Sequence, residues 1–261
     1  MTRMIAAALA ALLAAGCAMQ PSAPEAARRE LAPTGKLRAG MNWGNTLFTQ
    51  KEAATGEPRG VSVDIMSELA ARLGVPLELV MHATPGEVAD AVDRNTWDVA
   101  ILAIEQARAE KIAFSPPMSE IEATYVVHKD SPLKSVAQVD AAGVRIAAPH
   151  KAGYELFLAR TLKSATLVRT KSFAESIEVF NARGADAVAA LKPNLIESMG
   201  LMPDGRMLEG TFMTVNPGLG TPRARSAGAA YLKAFVEDMN ASGFIARSIE
   251  RHKVQGLSAV R

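Results

Sequence analysis

The chain has 261 residues, 49% of them hydrophobic and 21% charged, which is long enough for two modest domains with apolar cores. Its 29 basic and 27 acidic residues give a formal net charge of +2, and the basic residues are scattered along the chain. With aromatic residues at only 5%, this pattern argues against a nucleic-acid partner. The composition is typical of a globular protein.

The N-terminus differs from the rest of the chain. After Arg3, an apolar run at 4–15 ends in Gly16 and Cys17. The run is shorter than the ~20 residues that a membrane-spanning helix needs, but it has the length of a signal-peptide core. We therefore expect residues 1–17 to be a signal peptide and the protein to be exported to the periplasm.

Cys17 is the only cysteine of the chain, and the sequence LAAGC at 13–17 resembles a bacterial lipobox in which the leucine lies one position too far from the cysteine. The alternative is ordinary secretion with cleavage near Ala18. We favour lipidation of Cys17, because a lone free thiol is unusual in an exported protein. Residues 18–34, rich in Ala, Pro and charge, are expected to form a flexible tether.

From Gly35 onward, short β-rich runs alternate with amphipathic helical patterns, which predicts an α/β fold with parallel strands. Strands are expected at 37–41, 77–81, 99–102, 144–148, 167–169 and 187–190, and helices include 64–73 and 152–162. Ligands of open α/β sheets bind beyond the carboxyl ends of strands. The segments that should hold a ligand are therefore 42–48, 103–108, 149–154 and 191–194.

One helix-to-strand unit occurs in both halves of the chain. Thr84 is expected to cap a helix, with Glu87 three residues later, and Ser172 and Glu175 repeat this pattern. In each unit an Asp lies fourteen residues after the cap and leads into an apolar strand. Such units are common in α/β proteins, but the shared spacing favours two similarly built lobes.

Several motifs, in this order and spacing, resemble family 3 of the bacterial extracellular solute-binding proteins, the polar-amino-acid type of periplasmic binding protein. They are GKLRAG at 35–40, GVSVDI at 60–65, WDVA at 97–100, RAEKIAFSPP at 108–117, KDSPL at 129–133 and SF at 172–173. The resemblance runs from Gly35 to about His252. It implies the type II periplasmic-binding fold, with two α/β lobes, a ligand cleft between them and a hinge of two strands.

The resemblance also implies domain boundaries. Lobe 1 is expected at 35–127 plus 218–261, and lobe 2 at 128–217. The two hinge strands are expected near 124–129 and 212–215. Such hinges absorb a rotation while the lobes move as rigid bodies.

Arg108 matches the family arginine that grips the carboxylate of the ligand, and a planar guanidinium suits bidentate binding of a carboxylate. The alternative for Arg108 is a helix ion pair with Glu105. Ala103 stands where the family commonly has a small hydroxyl residue, which is one departure from the pattern. Asn42, Trp43 and Asn45 follow the first strand and are expected to supply an aromatic wall and adaptable hydrogen bonds; for Trp43 a core position is the alternative.

The second lobe departs further from the family. Lys151 and Ala152 belong to the turn at 150–153, which is expected to present backbone N–H groups to an anion in place of a Gly-Ser/Thr turn. Leu191 stands where amino-acid binders usually carry an Asp for the ligand ammonium, so an ordinary amino acid needs another partner, for which Glu105 is the candidate. Lys192 is a candidate extra cation, with a solvated surface position as the alternative. Tyr154 and Phe212 are expected at the pocket edge.

The resemblance implies a binding protein that does no chemistry, takes no cofactor and delivers a carboxylate or amino acid to an inner-membrane ABC permease. We expect a monomer. One alternative is an enzyme on the same fold similar to cyclohexadienyl dehydratases, for which Glu105 and His150 are the candidate acid or base. Another is a ligand sensor without a transporter. The four His residues, at 82, 128, 150 and 252, are dispersed and show no metal-ligand spacing.

Overall fold

The computed structural model describes residues 23–260. The predicted signal peptide and Cys17 lie outside the described residues. The strands are β1 (Leu37–Asn42), β2 (Gln50–Lys51), β3 (Pro58–Arg59), β4 (Leu77–His82), β5 (Val99–Ala103), β6 (Ile112–Phe114), β7 (Ser119–His128), β8 (Arg145–Pro149), β9 (Thr166–Thr170), β10 (Ala187–Leu191), β11 (Gly205–Met207), β12 (Met213–Val215), β13 (Pro217–Pro222) and β14 (Ser258–Ala259). The α-helices are α1 (Glu25–Leu31), α2 (Val61–Leu73), α3 (Pro85–Asp90), α4 (Gln106–Ala109), α5 (Gly153–Thr161), α6 (Phe173–Asn181), α7 (Lys192–Ser198), α8 (Ser226–Ala241) and α9 (Phe244–Arg251).

Two main sheets confirm the predicted α/β class. The first has the order β4-β1-β5-β13-β6, in which β1 runs parallel to β4 and β5 while β13 is antiparallel to both of its neighbours. The second has the order β11-β7-β10-β8-β9, with β12 and β14 also paired to β7. Strands β8, β9 and β10 are parallel, and β7 is antiparallel to β10. Each sheet is the centre of one lobe.

Helix α2 illustrates how local sequence sets these elements. Its apolar side chains recur every three to four residues and form the buried face of the helix, namely Ile65, Met66, Leu69 and Leu73. Gly74 ends the helix in the left-handed conformation, with φ of 65°, which a residue without a Cβ adopts readily. The helix begins at Val61, three residues before the predicted start, because helix ends depend on backbone geometry more than on periodicity.

The boundary between the lobes differs from the prediction. Strand β7 pairs with β10 over five residue pairs, from Val127 with Ala187 to Ala123 with Leu191, so this strand belongs to lobe 2 rather than lobe 1. The chain crosses between the sheets at 114–119 and again at 215–217. The two crossings lie side by side, since the Met118 N–H donates to the Pro217 carbonyl at 2.8 Å. The predicted hinge segments at 124–129 and 212–215 therefore lie within the second sheet.

The predicted helix caps are present in both lobes. The Thr84 hydroxyl accepts from the Glu87 N–H at 3.2 Å, and the Ser172 hydroxyl accepts from the Glu175 N–H at 3.1 Å. Both glutamates also accept from the backbone N–H four residues earlier. Asp98 and Asp186, which follow these units, also have equivalent hydrogen-bond partners in the two lobes.

Each of these Asp residues binds an arginine at the start of a neighbouring strand. Asp98 accepts from the backbone and the guanidinium of Arg38, and Asp186 does the same with Arg145. The hydrogen bond from Arg145 holds the pKa of Asp186 below its usual value. The matching pairs confirm that the two lobes share a building plan.

Part of the predicted tether is folded. Residues 25–31 form helix α1, in which Ala27 and Leu31 are fully buried against α8. A Cβ at Gly228 would lie 2.7 Å from the Leu31 Cδ2, so Leu31 packs directly against the backbone of α8 at this glycine. The Glu30 carboxylate accepts from the Gly228 N–H at 2.8 Å near the start of α8. Helix α1 is thus a structural part of lobe 1. Among residues 23–260, no helix has the length and apolarity needed to cross a bilayer.

Candidate functional site

A cleft of about 140 Å³ lies between the two lobes, at the carboxyl ends of the strands where the topology predicts a ligand. Strands β1, β5, β8 and β10 each contribute their last residue or the residues that follow. The walls are mainly apolar and come from both lobes: Ile101, Ile121, Tyr154, Phe173, Leu191 and Val215. Burial raises the pKa of the Tyr154 hydroxyl, which keeps it neutral at physiological pH.

Arg108 is the buried charged residue on the wall of this cleft. It lies in the short helix α4 after β5, and only 6% of its surface is exposed. Its Nη1 donates to the Ala103 carbonyl at 3.0 Å and its Nη2 to the Lys151 carbonyl at 2.8 Å, so the guanidinium binds backbone of both lobes. Burial lowers the pKa of Arg108 to about 10, and the group remains charged at neutral pH. A buried charge held by neutral carbonyls alone is a strong attractor for an anion.

The two carboxylates whose charges act on Arg108 both form ion pairs with other residues. Glu105 accepts from Arg160 Nη1 at 3.0 Å, and Asp90 accepts from Lys151 Nζ at 2.7 Å. Each ion pair joins a lobe 1 carboxylate to a lobe 2 base. These contacts hold the lobes together, and no carboxylate in the described part of the chain is bonded to Arg108.

Three asparagines surround the cavity with uncharged polar groups. Asn42 and Asn45 follow β1 in lobe 1, and Asn194 lies in the first turn of α7 in lobe 2. The side-chain oxygens of all three are buried and have no hydrogen-bond partner in the described part of the chain. A carboxamide either accepts through oxygen or donates through nitrogen. The three residues can therefore bind uncharged polar groups of a ligand.

The approach of the lobes depends on two glycines. A Cβ at Gly153, the first residue of α5, would lie 2.7 Å from the Cβ of Ala103 across the cleft. A Cβ at Gly86 in α3 would lie 2.7 Å from the Cβ of Lys151. Real Cβ atoms do not approach this closely, so a side chain at either position requires the lobes to separate. The structure is thus a closed conformation, and the lobes can approach this closely because Gly86 and Gly153 have no side chain.

The predicted site residues divide into two groups. Those on the cleft wall are Asn42, Asn45, Ala103, Arg108, Ala152 and Leu191. Those that do not line it are Trp43, Glu105, Lys151 and Lys192. Each of the second group has another contact that accounts for its position.

Trp43 packs beneath Lys51, whose Nζ lies 4.8 Å from the ring centroid. Lys192 Nζ binds Glu122 at 2.7 Å on the surface of lobe 2, as in the alternative given for it above. Glu105 and Lys151 form the ion pairs between the lobes, with Arg160 and Asp90. Of the residues expected at the pocket edge, Tyr154 lines the cleft, whereas Phe212 stacks on Tyr125 at 4.5 Å and does not line it.

His150, a candidate acid or base, lies on the wall with 55% of its side chain exposed. Its Nδ1 is 3.8 Å from the Glu155 carboxylate. Glu155 itself is buried and binds Arg169 Nε at 2.8 Å, which ties this carboxylate to the structure of lobe 2.

Sequence reasoning placed the segment 191–194 at the ligand site without singling out Asn194, and it missed the starts of the two capped helices. Thr84 and Pro85 of lobe 1 and Ser172 and Phe173 of lobe 2 all line the cleft. The signal was available, because the capping pattern places these residues directly after the strands β4 and β9. The carboxyl ends of those strands point to the same edge as the others.

Comparison with known proteins supports the architecture. The family model of the bacterial extracellular solute-binding proteins, family 3, matches residues 37–255. No curated protein matches the chain in sequence. Solved structures of several binding proteins share the fold.

A mutant of ArgBP from T. maritima superposes with a TM-score of 0.72 at 22% identity, covering 86% of this chain and 98% of that one. A putative binding component of an ABC transporter from Wolinella succinogenes, complexed with lysine, gives 0.70 at 22% identity, covering 83% and 95%. The ancestral amino acid-binding protein AncCDT-1, a precursor of cyclohexadienyl dehydratase, gives 0.71 at 21% identity, covering 86% and 98%. The family match, which spans most of the chain, and the shared two-lobe fold lead to one conclusion: this chain belongs to the bacterial extracellular solute-binding proteins, family 3.

Proposed function

We propose that this protein is the substrate-binding component of an ABC-type uptake system and closes on a small solute that carries a carboxylate. The observation that supports this most strongly is the guanidinium of Arg108, which is buried at the cleft and, within the described residues 23–260, is bonded only to backbone carbonyls. A carboxylate is the planar anion that fits such a fork. The expected role of Arg108 is to bind it in the closed state.

The same residue explains how a ligand drives closure. In the closed structure Arg108 is buried between the lobes, and this burial lowers its pKa to about 10. Burying this charge opposes closure when the cleft holds no anion. A bound carboxylate offsets that cost, and the ligand therefore stabilises the closed state more than the open one. The ion pairs Lys151–Asp90 and Arg160–Glu105 add contacts that form only on closure.

The partner in this proposal is an inner-membrane permease that recognises the closed shape, and the location is the periplasm. Membership of an extracellular family supports export, and Cys17 remains the predicted lipid anchor. Solved structures of the same fold include an amino acid ABC transporter substrate-binding protein bound to L-arginine, which supports a transport role here.

Thermal unfolding of the mature protein tests the proposal with a panel of amino acids, keto acids, hydroxy acids, mono- and dicarboxylates and prephenate. We expect at least one carboxylate to raise the Tm. A ligand at a hundred times its Kd stabilises by about 2.7 kcal/mol, which is a rise of roughly 5–10 °C for a chain of this size.

The control ligands are amines and sugars without a carboxylate, which should leave the Tm unchanged. Prephenate is also incubated with the protein and its consumption followed. Turnover would replace the binding role by an enzymatic one. A protein that unfolds cooperatively and responds to no carboxylate in the panel would contradict the proposal.

A further inference from the structure

The charge and hydrogen-bonding groups of the cleft restrict the class of solute further than a carboxylate. Among the ionised groups at the cleft, Arg108 is the buried one. Lys171 and His150 also line the wall, but both are exposed to solvent. Within residues 23–260 no Asp or Glu lines the cleft. A ligand with one negative charge therefore neutralises the buried part of the site.

A zwitterionic amino acid does not achieve this balance. Its carboxylate pairs with Arg108, but its ammonium then enters the closed cleft as a second, unmatched positive charge. The two carboxylates whose charges act on Arg108 are bonded elsewhere, Glu105 to Arg160 and Asp90 to Lys151. Burying a charge without a partner is strongly unfavourable.

The uncharged groups of the site point to what the ligand carries in place of an ammonium. The oxygens of Asn42, Asn45 and Asn194 are buried on the cleft wall and have no hydrogen-bond partner among residues 23–260, and Asn42 itself is only 3% exposed. Unpaired buried amides are costly, so a ligand that bonds to them gains affinity. Hydroxyl and amide groups supply these bonds without adding a charge.

Leu191 adds an apolar surface at the same wall. It ends β10 and lies on the cleft beside the first turn of α7, which carries Asn194. A branched aliphatic side chain favours the apolar part of a ligand over an ammonium.

We propose that the ligand is a monocarboxylate whose other polar groups are uncharged, such as a 2-hydroxy acid or an N-acylated amino acid, and that Asn42, Asn45, Asn194 and Leu191 select it against free amino acids. This inference rests on the proposed function. It concerns the selection among carboxylates by the same cleft.

Calorimetric titration with matched ligands tests the selection at pH 7. Each of three carbon skeletons, those of alanine, valine and leucine, is offered with hydrogen, hydroxyl, acetylamido or ammonium at C2. We expect the hydroxy or acetylamido form to bind at least about tenfold more tightly than the ammonium form of the same skeleton. The hydrogen form separates the contribution of the polar group from that of the skeleton.

Variants at Leu191 and Asn194 test whether these residues cause the preference for uncharged groups at C2. Leu191→Asp places a carboxylate on the wall and should shift the ratio of affinities by about tenfold or more toward the ammonium form, while its uncharged match Leu191→Asn should keep the wild-type order. Asn194→Ala should weaken the preferred form by about fivefold and leave the hydrogen form unchanged. Circular dichroism and the Tm of each variant confirm that it is folded.

The outcomes separate this inference from the proposed function. Tighter binding of the ammonium forms, lost when Arg108 is replaced, would overturn the inference and leave the proposed function standing. No binding of any matched acid by folded protein would overturn the proposed function itself. A preference for uncharged forms that Leu191→Asp does not alter would remove Leu191 from the selection.

Discussion

Arg108→Ala is expected to weaken carboxylate binding by at least about 100-fold, because loss of one partner of a buried, hydrogen-bonded charge pair costs roughly 2–5 kcal/mol. Arg108 is buried at the meeting point of the lobes and donates to the carbonyls of Ala103 and Lys151. The variant therefore loses the guanidinium that binds the carboxylate, together with its two hydrogen bonds to the backbone. Calorimetry with the acid that gives the largest Tm rise measures the effect.

Two further substitutions at 108 identify the cause. Arg108→Lys keeps the charge but not the planar fork, so its affinity should lie between those of wild type and Arg108→Ala. Arg108→Met removes the charge whose burial opposes closure, and its ligand-free form should be more closed than that of wild type.

Arg94→Ala is the matched control, since Arg94 is exposed and does not line the cleft. It should bind as wild type does. Unchanged affinity in Arg108→Ala would show that the guanidinium does not hold the ligand.

Gly86→Ala is expected to hold the lobes apart and to weaken ligand binding by about tenfold or more. The new Cβ would lie 2.7 Å from the Cβ of Lys151 in the closed structure, and a Cβ cannot move aside as the end of a long side chain can. The open form has no such clash, because Gly86 and Lys151 belong to different lobes. Alanine also suits helix α3 better than glycine, so the Tm of the ligand-free protein should not fall. Calorimetry of ligand binding and the Tm of the ligand-free protein measure the two effects.

Gly200→Ala is the matched control for that change. No heavy atom lies within 4 Å of a Cβ built at Gly200, and the residue is exposed on lobe 2. This variant should keep the wild-type affinity. A Gly86→Ala protein with wild-type affinity would mean that ligand binding does not need the closed approach of the lobes.

Much of the fold was predictable because its signals are local. The caps at Thr84 and Ser172, the apolar face of α2 and the spacing from each cap to its Asp depend on residues close in sequence. Helix α1 was missed because its Ala- and charge-rich sequence also suits a linker. Its order comes from burial of Leu31 against α8, almost 200 residues away in the chain.

The hinge was predicted at the wrong segments for a similar reason, because the pairing that assigns them is distant in sequence. Residues 119–128 read as a strand in either lobe, and only pairing with β10 assigns them to lobe 2.

The candidate site was predicted in part. Arg108 and Leu191 were found through their positions in family motifs, and both line the cleft. Glu105, Lys151 and Lys192 were expected there because charged residues near a strand end suggest ligand contacts. Their ion pairs with Arg160, Asp90 and Glu122 join positions 55, 61 and 70 residues apart, which a single sequence does not reveal.

Small-angle X-ray scattering tests the central claim most directly, that an anion at Arg108 closes the lobes. The acid with the largest Tm rise is titrated into wild type and Arg108→Ala. We predict that the radius of gyration of wild type falls on saturation toward about 18 Å, the value for a compact chain of this length, while that of Arg108→Ala does not change. An equal decrease in both proteins, or none in wild type at saturating ligand, would contradict the account.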